Sequence, residues 1–555
     1  MQNSKIKWKR WDQKSLEEAK KKNKLLFLVS FYKNCFWCEK LFEEILEESK
    51  VIEALDKNFI CILIDKDENL DIDKHFQRVS KILNSQEETW PLLIFLTPEK
   101  FPIYLQSNFK DSKEFLLILE SVLKRFFSQK DQIIKQTKEI ENLLAPKSKI
   151  LATKITDDLI KIASFQLVSN FDKEKGFFKE EKKLLRISAL ELALELYKVS
   201  KEKSLKEIVE VSFEKIYYSF LYDKIEGGFF RASPKDFTTP IYEKNSLLNA
   251  QILDLLLEMY QVFGKEKYLN IAKEIADFFI NQMQENNLFF NSIFQKSSQE
   301  YFLFDYNKLT KVFEEKGFKN PDILVEKLGI KKDFPKNSIK FSKELENNKE
   351  IKKALEILKD LRKTKKELKS FEIDKRVFAT TNGFVIKTLF KLSKIDSSYL
   401  ENSKRSLNHL RNFVGKGSII FHLKEPFEIE GFLIDYAYIS LSMIEAYKTT
   451  QDEIYLKFAK DLLNEAIKRF YKNGRWSLGG KEFFELADDQ DRIFPSEVGV
   501  ILEALIALRD LEDPIYDKFI QKTFAVFSYN LMRNPISRAK LAKLAICDLK
   551  GKNFF

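Results

Sequence analysis

The stretch Leu25-Leu-Phe-Leu-Val-Ser-Phe31, then Tyr32-Lys-Asn-Cys35-Phe-Trp-Cys38-Glu-Lys40, then Leu41-Phe42 and Ile45-Leu46 decides how the front of this chain folds. An unbroken apolar run predicts a buried strand, and apolar pairs at spacings of three and four predict a helix after it. Between them stand two thiols separated by two residues. Strand, Cys-x-x-Cys turn and helix form the active unit of a thioredoxin-like fold, in which the thiols can close a disulfide on each other. A helix N-terminus carries unpaired N–H groups and partial positive charge, which favours a thiolate on the first cysteine. Cys35 is therefore the expected attacking thiol, and Cys38 the one that resolves a mixed disulfide.

Outward from this unit, helix and strand alternate. Ser15–Asn23 reads as a charged helix, Phe36–Ser49 as the helix after the dithiol, and Phe59–Asp65 as a second strand closed by Asp65-Lys-Asp-Glu68. Asp71–Leu83 is helical, Pro91–Pro98 and Phe101–Leu105 are strands, and Ser112–Phe127 is a helix. Continuously apolar strands between helices imply a sheet covered on both faces. Trp90-Pro91 opens the third strand. Only an X-Pro bond takes the cis form cheaply, and Pro91 is the expected cis-proline beside the dithiol, with Trp37 and Trp90 as apolar cover.

At 555 residues the chain needs more than one core. Only 15 Gly and 12 Pro argue for a mostly helical body. A net charge of +11 is mild at this length, and no basic stripe points to nucleic acid. The four cysteines, Cys35, Cys38, Cys61 and Cys547, are too few for a disulfide framework. Cys61 lies in an apolar strand and reads as inert core; Cys547 has no evident role. Two thiolates are half of a structural zinc set, so no metal or cofactor is expected. The first residues lack the apolar core of a signal peptide, and no run approaches the ~18 residues of a membrane span. The expectation is a cytoplasmic protein without membrane partners.

Beyond residue 150 helical spacing dominates, in Leu184–Val199, Leu205–Leu221, Ser246–Phe263, Tyr268–Met283, Thr381–Leu392, Leu400–Phe413, Leu433–Tyr447, Ile454–Phe470, Pro495–Arg509 and Ile515–Leu531. Thr153–Val168 and a segment near Asp305–Glu315 bring the expected core helices to twelve. Phe171-Asp-Lys-Glu-Lys-Gly-Phe-Phe178 and Tyr222-Asp-Lys-Ile-Glu-Gly-Gly-Phe-Phe-Arg231 repeat one theme, and Tyr471-Lys-Asn-Gly-Arg-Trp476 is a looser copy. Recurring Gly–aromatic turns between helix pairs suggest repeated hairpins. Six of them would make an α/α toroid. The Lys/Glu-rich residues 319–375 read as an inserted helical arm.

The whole resembles the spermatogenesis-associated protein 20 family, the YyaL-like proteins. The resemblance rests on Trp8–Ala19, Lys24–Ser30, Cys35-Phe-Trp-Cys38, Asp65-Lys-Asp-Glu68, Asp71-Ile-Asp73 and Trp90–Pro98. Further back it rests on Gly227–Arg231, Tyr242-Glu-Lys244 with Asn249-Ala250, Asp374-Lys375 with Asn382-Gly383, Asp435-Tyr-Ala437 and Pro495-Ser496. It implies a thioredoxin-like domain over 1–135 fused to a six-hairpin, glycosidase-like (α/α)6 toroid over 150–555. The family's dithiol usually reads Cys-His-Trp-Cys-His; here Phe36 and Glu39 stand in place of the histidines. In the toroid, Ile241, Leu248, Thr381 and Glu497 replace family residues, and only His75, His409 and His422 occur in the chain.

Two site readings follow. The first is thiol–disulfide exchange at Cys35 and Cys38 with an unknown protein partner that the toroid selects. The second is a toroid that binds or processes a sugar-like ligand, using Glu243, Asp435 and Glu497 near helix starts as acid–base carboxylates, with Phe229, Phe230 and Trp476 as aromatic lining. Carboxylates at helix starts also serve as caps, and a non-catalytic interaction protein is the remaining class.

Overall fold

The computed structural model describes residues 4–551 apart from 86–87, 108, 146–150, 180–184, 234–235, 297–299, 368–370 and 512–513. Residue 150, the expected start of the second domain, and Leu184, the expected start of a helix, lie outside the described residues. The chain divides into two compact units: 1–150 together with 479–486, and 151–478 together with 487–555.

The first unit is thioredoxin-like. Helix α1 (Gln13–Lys22) leads into β1 (Leu25–Phe31), α2 (Phe36–Lys40) and a wider π-turn segment (Leu41–Leu46), α3 (Ser49–Asn58), β2 (Phe59–Asp65) and α4 (Leu70–Asn84). Strands β3 (Leu92–Leu96) and β4 (Pro102–Gln106) and helices α5 (Ser112–Ser128) and α6 (Lys130–Leu144) complete it. The sheet order is β2-β1-β3-β4, with β1 parallel to β2 and antiparallel to β3. All seven residues of β1 are buried because both faces are covered. Leu25, Phe27, Val29 and Phe31 pack with Val51, Leu55, Phe115 and Leu119. Leu26 and Leu28 face the other way, among Leu16, Ala19, Ile72, Phe76 and Ile140. Helix α6 crosses the expected boundary at residue 135, since Ile133, Thr137 and Ile140 are spaced to bury one face.

The second unit is a helical toroid. Six inner helices follow one another around it: α8 (Ile187–Ser200), α10 (Ser246–Phe263), α15 (Ala379–Ser393), α17 (Leu433–Thr450), α19 (Glu497–Arg509) and α21 (Ala539–Leu549), and α21 packs on α8 to close the circle. They are buried nearly all round, as in α15, where 14 of 15 residues are buried. The outer helices are α7 (Asp158–Asn170), α9 (Lys203–Tyr217), α11 (Glu266–Gln282), α16 (Leu400–Leu410), α18 (Glu453–Phe470) and α20 (Asp517–Arg533), each burying one face. The helix expected at Asp305–Glu315 exists as α12 (Tyr306–Glu315), but it packs outside the ring. The twelfth toroid helix is α21, whose Lys540, Lys543 and Asp548 obscure its apolar pattern.

The insertion consists of α12, α13 (Pro321–Lys327) and α14 (Lys349–Glu367) around its own core of Phe313, Leu324, Val325, Ile351 and Leu358. It begins earlier than the expected residue 319.

Inside the ring, charged side chains alternate in sign. Lys391 pairs with Asp254 at 2.5 Å, Asp254 with Lys387 at 3.1 Å, Lys387 with Glu503 at 2.9 Å and Glu503 with Lys540 at 2.8 Å. Lys540 approaches Glu191 at 3.7 Å, Glu191 approaches Lys543 at 3.9 Å, and Lys543 pairs with Glu258 at 2.8 Å. The attraction between Glu258 and Lys391 completes the circuit. Five inner helices contribute; α17 supplies Tyr438, stacked on Phe384 at 4.5 Å. Burial works against ionising Asp254 and Glu503, but their lysines outweigh it and hold both carboxyls well below the usual range. Glu191, the most loosely paired, is pushed up by burial.

Removing one cation from such a network leaves buried carboxylates uncompensated, which costs about 3–5 kcal/mol. Lys387→Met is expected to lower unfolding stability by about that amount at pH 7 in a urea titration. A depressed carboxyl pKa adds stability above the unfolded value of about 4 and loses it as pH falls below that. The gap between variant and wild type should therefore narrow on acidification.

Candidate active site

Cys35 is the N-cap of α2, and its Sγ accepts the backbone N–H of Cys38 at 3.2 Å. The two cysteines form a disulfide with their Cα atoms 5.1 Å apart. Both are buried, whereas Phe36 and Trp37 between them are 51% and 61% exposed. These rings meet edge-on at 5.3 Å, and the Lys40 ammonium lies 5.5 Å and 5.7 Å from them. A helix N-terminus beside a thiol favours its thiolate form. Cys61 and Cys547 are different. Both are buried and free, and burial pushes each thiol up to about 12.

Trp90-Pro91 is cis. Because Leu92 pairs with Ser30, this peptide lies at the end of the sheet from which the dithiol loop leaves β1. Three side chains that the sequence reading did not place at the site hold it there. Asp73, buried on α4, accepts Trp90 Nε1–H at 3.0 Å and the Ser30 hydroxyl. Gln77, one turn on, donates Nε2–H to the Thr89 carbonyl at 2.9 Å and accepts the Thr89 N–H at 3.2 Å. Lys66 lies 5.5 Å from the rings of both Tyr32 and Trp90. Burial raises the Asp73 pKa, and hydrogen bonds from Ser30 and Trp90 only partly offset it. Burial opposes the Lys66 ammonium, yet Asp67, Asp73 and Asp65 outweigh it and raise its pKa. The signal available in the sequence was the acid-rich stretch Asp65–Asp73, directly after the strand beside β1.

The toroid candidates have separate partners. Glu243 is buried beside Arg231, at 3.3 Å. Asp435 is fully buried, accepts the Phe432 N–H at 2.8 Å and the Thr380 hydroxyl, and faces His422 Nδ1 at 2.9 Å. Glu497 accepts the Asp488 N–H at 2.6 Å. Phe229, Phe230 and Trp476 lie in the hydrophobic core instead of lining a pocket, since aromatics after a Gly turn fold beneath it; Trp476 Nε1–H donates to Thr523 at 3.0 Å. A cleft of about 700 Å³ opens by α7 and α20, lined by Phe165, Arg186, Arg533 and Arg538 among others, and by none of the three carboxylates. Among the described residues no cluster of His, Cys, Asp and Glu could hold a metal, and no helix is long and apolar enough to cross a membrane.

Residues 1–145 match the family model Thioredox_DsbH, described as a protein of unknown function, DUF255. Nearly the whole chain is similar to spermatogenesis-associated protein 20. The mouse protein is 22% identical over 97% of this chain and 78% of its own, and the human protein 20% over the same shares. Among solved structures, a GH76 alpha-mannanase of Bacteroides thetaiotaomicron is 12% identical over 71% of this chain and 94% of its own, with a TM-score of 0.45.

Alkylation of the reduced, native protein should label Cys35 first, at the helix start, with Cys61 and Cys547, whose thiol pKa burial raises, reacting only after denaturation. Intact and peptide mass spectrometry reads this directly, and native-state labelling of Cys61 as fast as Cys35 would contradict the raised pKa of its thiol.

Proposed function

We propose that the first unit carries out thiol–disulfide exchange through Cys35 and Cys38, and that the toroid selects the protein partner. The observation that supports this most is the closed Cys35–Cys38 pair at the start of α2, under exposed Phe36 and Trp37. In the reducing direction, a Cys35 thiolate attacks a partner disulfide; one partner sulfur leaves as thiolate and a mixed disulfide forms. Cys38 thiolate then attacks Cys35 Sγ, closing the pair and releasing the second partner thiol. Two electrons pass from the pair to the partner, and an external dithiol must return them. The oxidising direction runs the same steps backwards.

The sugar reading has less support. Glu243 and Asp435 are engaged by Arg231 and His422, in arrangements that hold strands and helix starts together.

In the full-length protein, the pair should titrate against glutathione buffers with a midpoint between roughly −270 and −120 mV, the span of working oxidoreductases. Cys38→Ser should trap the partner as a mixed disulfide, and Cys35→Ser should trap nothing. A pair that never exchanges with glutathione would sink the proposal.

A further inference from the structure

Residues 479–486 lie far along the chain from the dithiol, yet they belong to the first unit. They are seated on α4 by more than a passing loop requires. The Phe483 ring stacks on the His75 imidazole at 3.8 Å with 7° between planes, and its neighbours Phe76 and Trp11 stand at 5.4 Å and 6.0 Å. Glu485, only 1% exposed, pairs with His75 Nδ1 at 2.9 Å and with Arg78. Lys100 pairs with Glu482. Gly480 has φ +93°, and a Cβ there would collide with the Asp71 carboxylate. The next ring, Phe484, is 69% exposed, so the seating is specific to alternate residues.

Positions 71, 75 and 78 share one face of α4, at spacings of four and three; 73 and 77 share another. The first face takes the segment. The second holds Thr89 and Trp90, immediately before cis-Pro91, and Ser30 at the end of β1. A rigid helix between two fixed contacts passes displacement from one face to the other, because packed interiors do not absorb it.

We infer that Gly479–Leu486 is a positioning segment for the dithiol: seated on α4, it sets where Asp73 and Gln77 hold the Trp90–Pro91 strand start against the Cys35–Cys38 loop. This rests on the reading of the pair as a redox centre. Phe483 and Glu485 are positioning residues that touch neither thiol.

The test uses the full-length protein with Phe483→Ala, the milder Phe483→Leu, and Glu485→Gln. Phe483→Tyr serves as the conservative rescue and Phe484→Ala as the exposed control. Each is equilibrated in glutathione buffers, and the Cys35–Cys38 state is read by alkylation and mass. The pH profile of Cys35 alkylation and the thermal melt are recorded beside it. The expected result is about a tenfold shift in the dithiol–disulfide equilibrium, about 30 mV, for the first three variants, with wild-type behaviour for the other two. Variants that melt lower but keep the wild-type equilibrium and pH profile would show a purely structural segment and overturn the inference. A wild-type pair that does not equilibrate with glutathione would instead defeat the redox reading, and this inference with it.

Discussion

The toroid depends on the circuit of alternating charges inside its ring. Lys391, Asp254, Lys387, Glu503, Lys540, Glu191, Lys543 and Glu258 come from five helices whose buried residues are mostly apolar. Apolar packing is non-directional and would let such helices slide or rotate against one another. A buried ion pair tolerates neither, because a displaced charge is left without water or partner. The circuit therefore fixes the rotation and height of α8, α10, α15, α19 and α21 together, while Tyr438 stacked on Phe384 brings in α17.

Around this ring, a second device repeats. After α7, α9, α11, α16 and α18 the chain turns in a narrow hairpin, with bridges Phe171 to Phe178, Tyr222 to Phe229 and Val414 to Ile420 among them. Inner-helix amides tie two of these down. Asn249 accepts the Phe229 N–H at 2.6 Å and donates to its carbonyl at 3.0 Å; Asn382 does the same for Phe289, at 2.7 Å and 2.9 Å. Tyr436 accepts the Ile420 N–H at 3.1 Å. Buried backbone groups must find partners, so the Asn-Ala and Asn-Gly motifs are explained by the hairpins they satisfy. The same holds for Lys244, which bonds Asp223 at 2.6 Å and the Gly227 carbonyl at 2.7 Å, with Arg362 of the insertion completing the acid's partners at 3.0 Å.

The thioredoxin-like unit was legible because its strands are continuous apolar runs and its dithiol sits at a strand–helix junction. The toroid was legible from periodicity and from Gly-centred turns. Its hairpin after α11 was not, because Asn286 and Asn287 take the left-handed backbone that glycine takes at Gly227. Helix α21 was missed because Lys540 and Lys543 break its apolar pattern, and those lysines are what the ring requires. Around the dithiol, Asp73 and Gln77 act through contacts that no spacing along the chain reveals. The same is true of Phe483 and Glu485, whose partners on α4 stand about four hundred positions earlier.

That separation has a consequence for synthesis. Domains generally fold as they emerge from the ribosome, at about 5–20 residues per second. The first 150 residues are made early, but Gly479–Leu486 emerges only after more than three hundred further residues, roughly 15–65 s later at that pace. During that interval the nascent dithiol unit has an uncovered aromatic and charged face on α4. Its maturation is tied to translation of the far part of the same polypeptide, and a message cut short before that point would yield a unit whose α4 never acquires its cover.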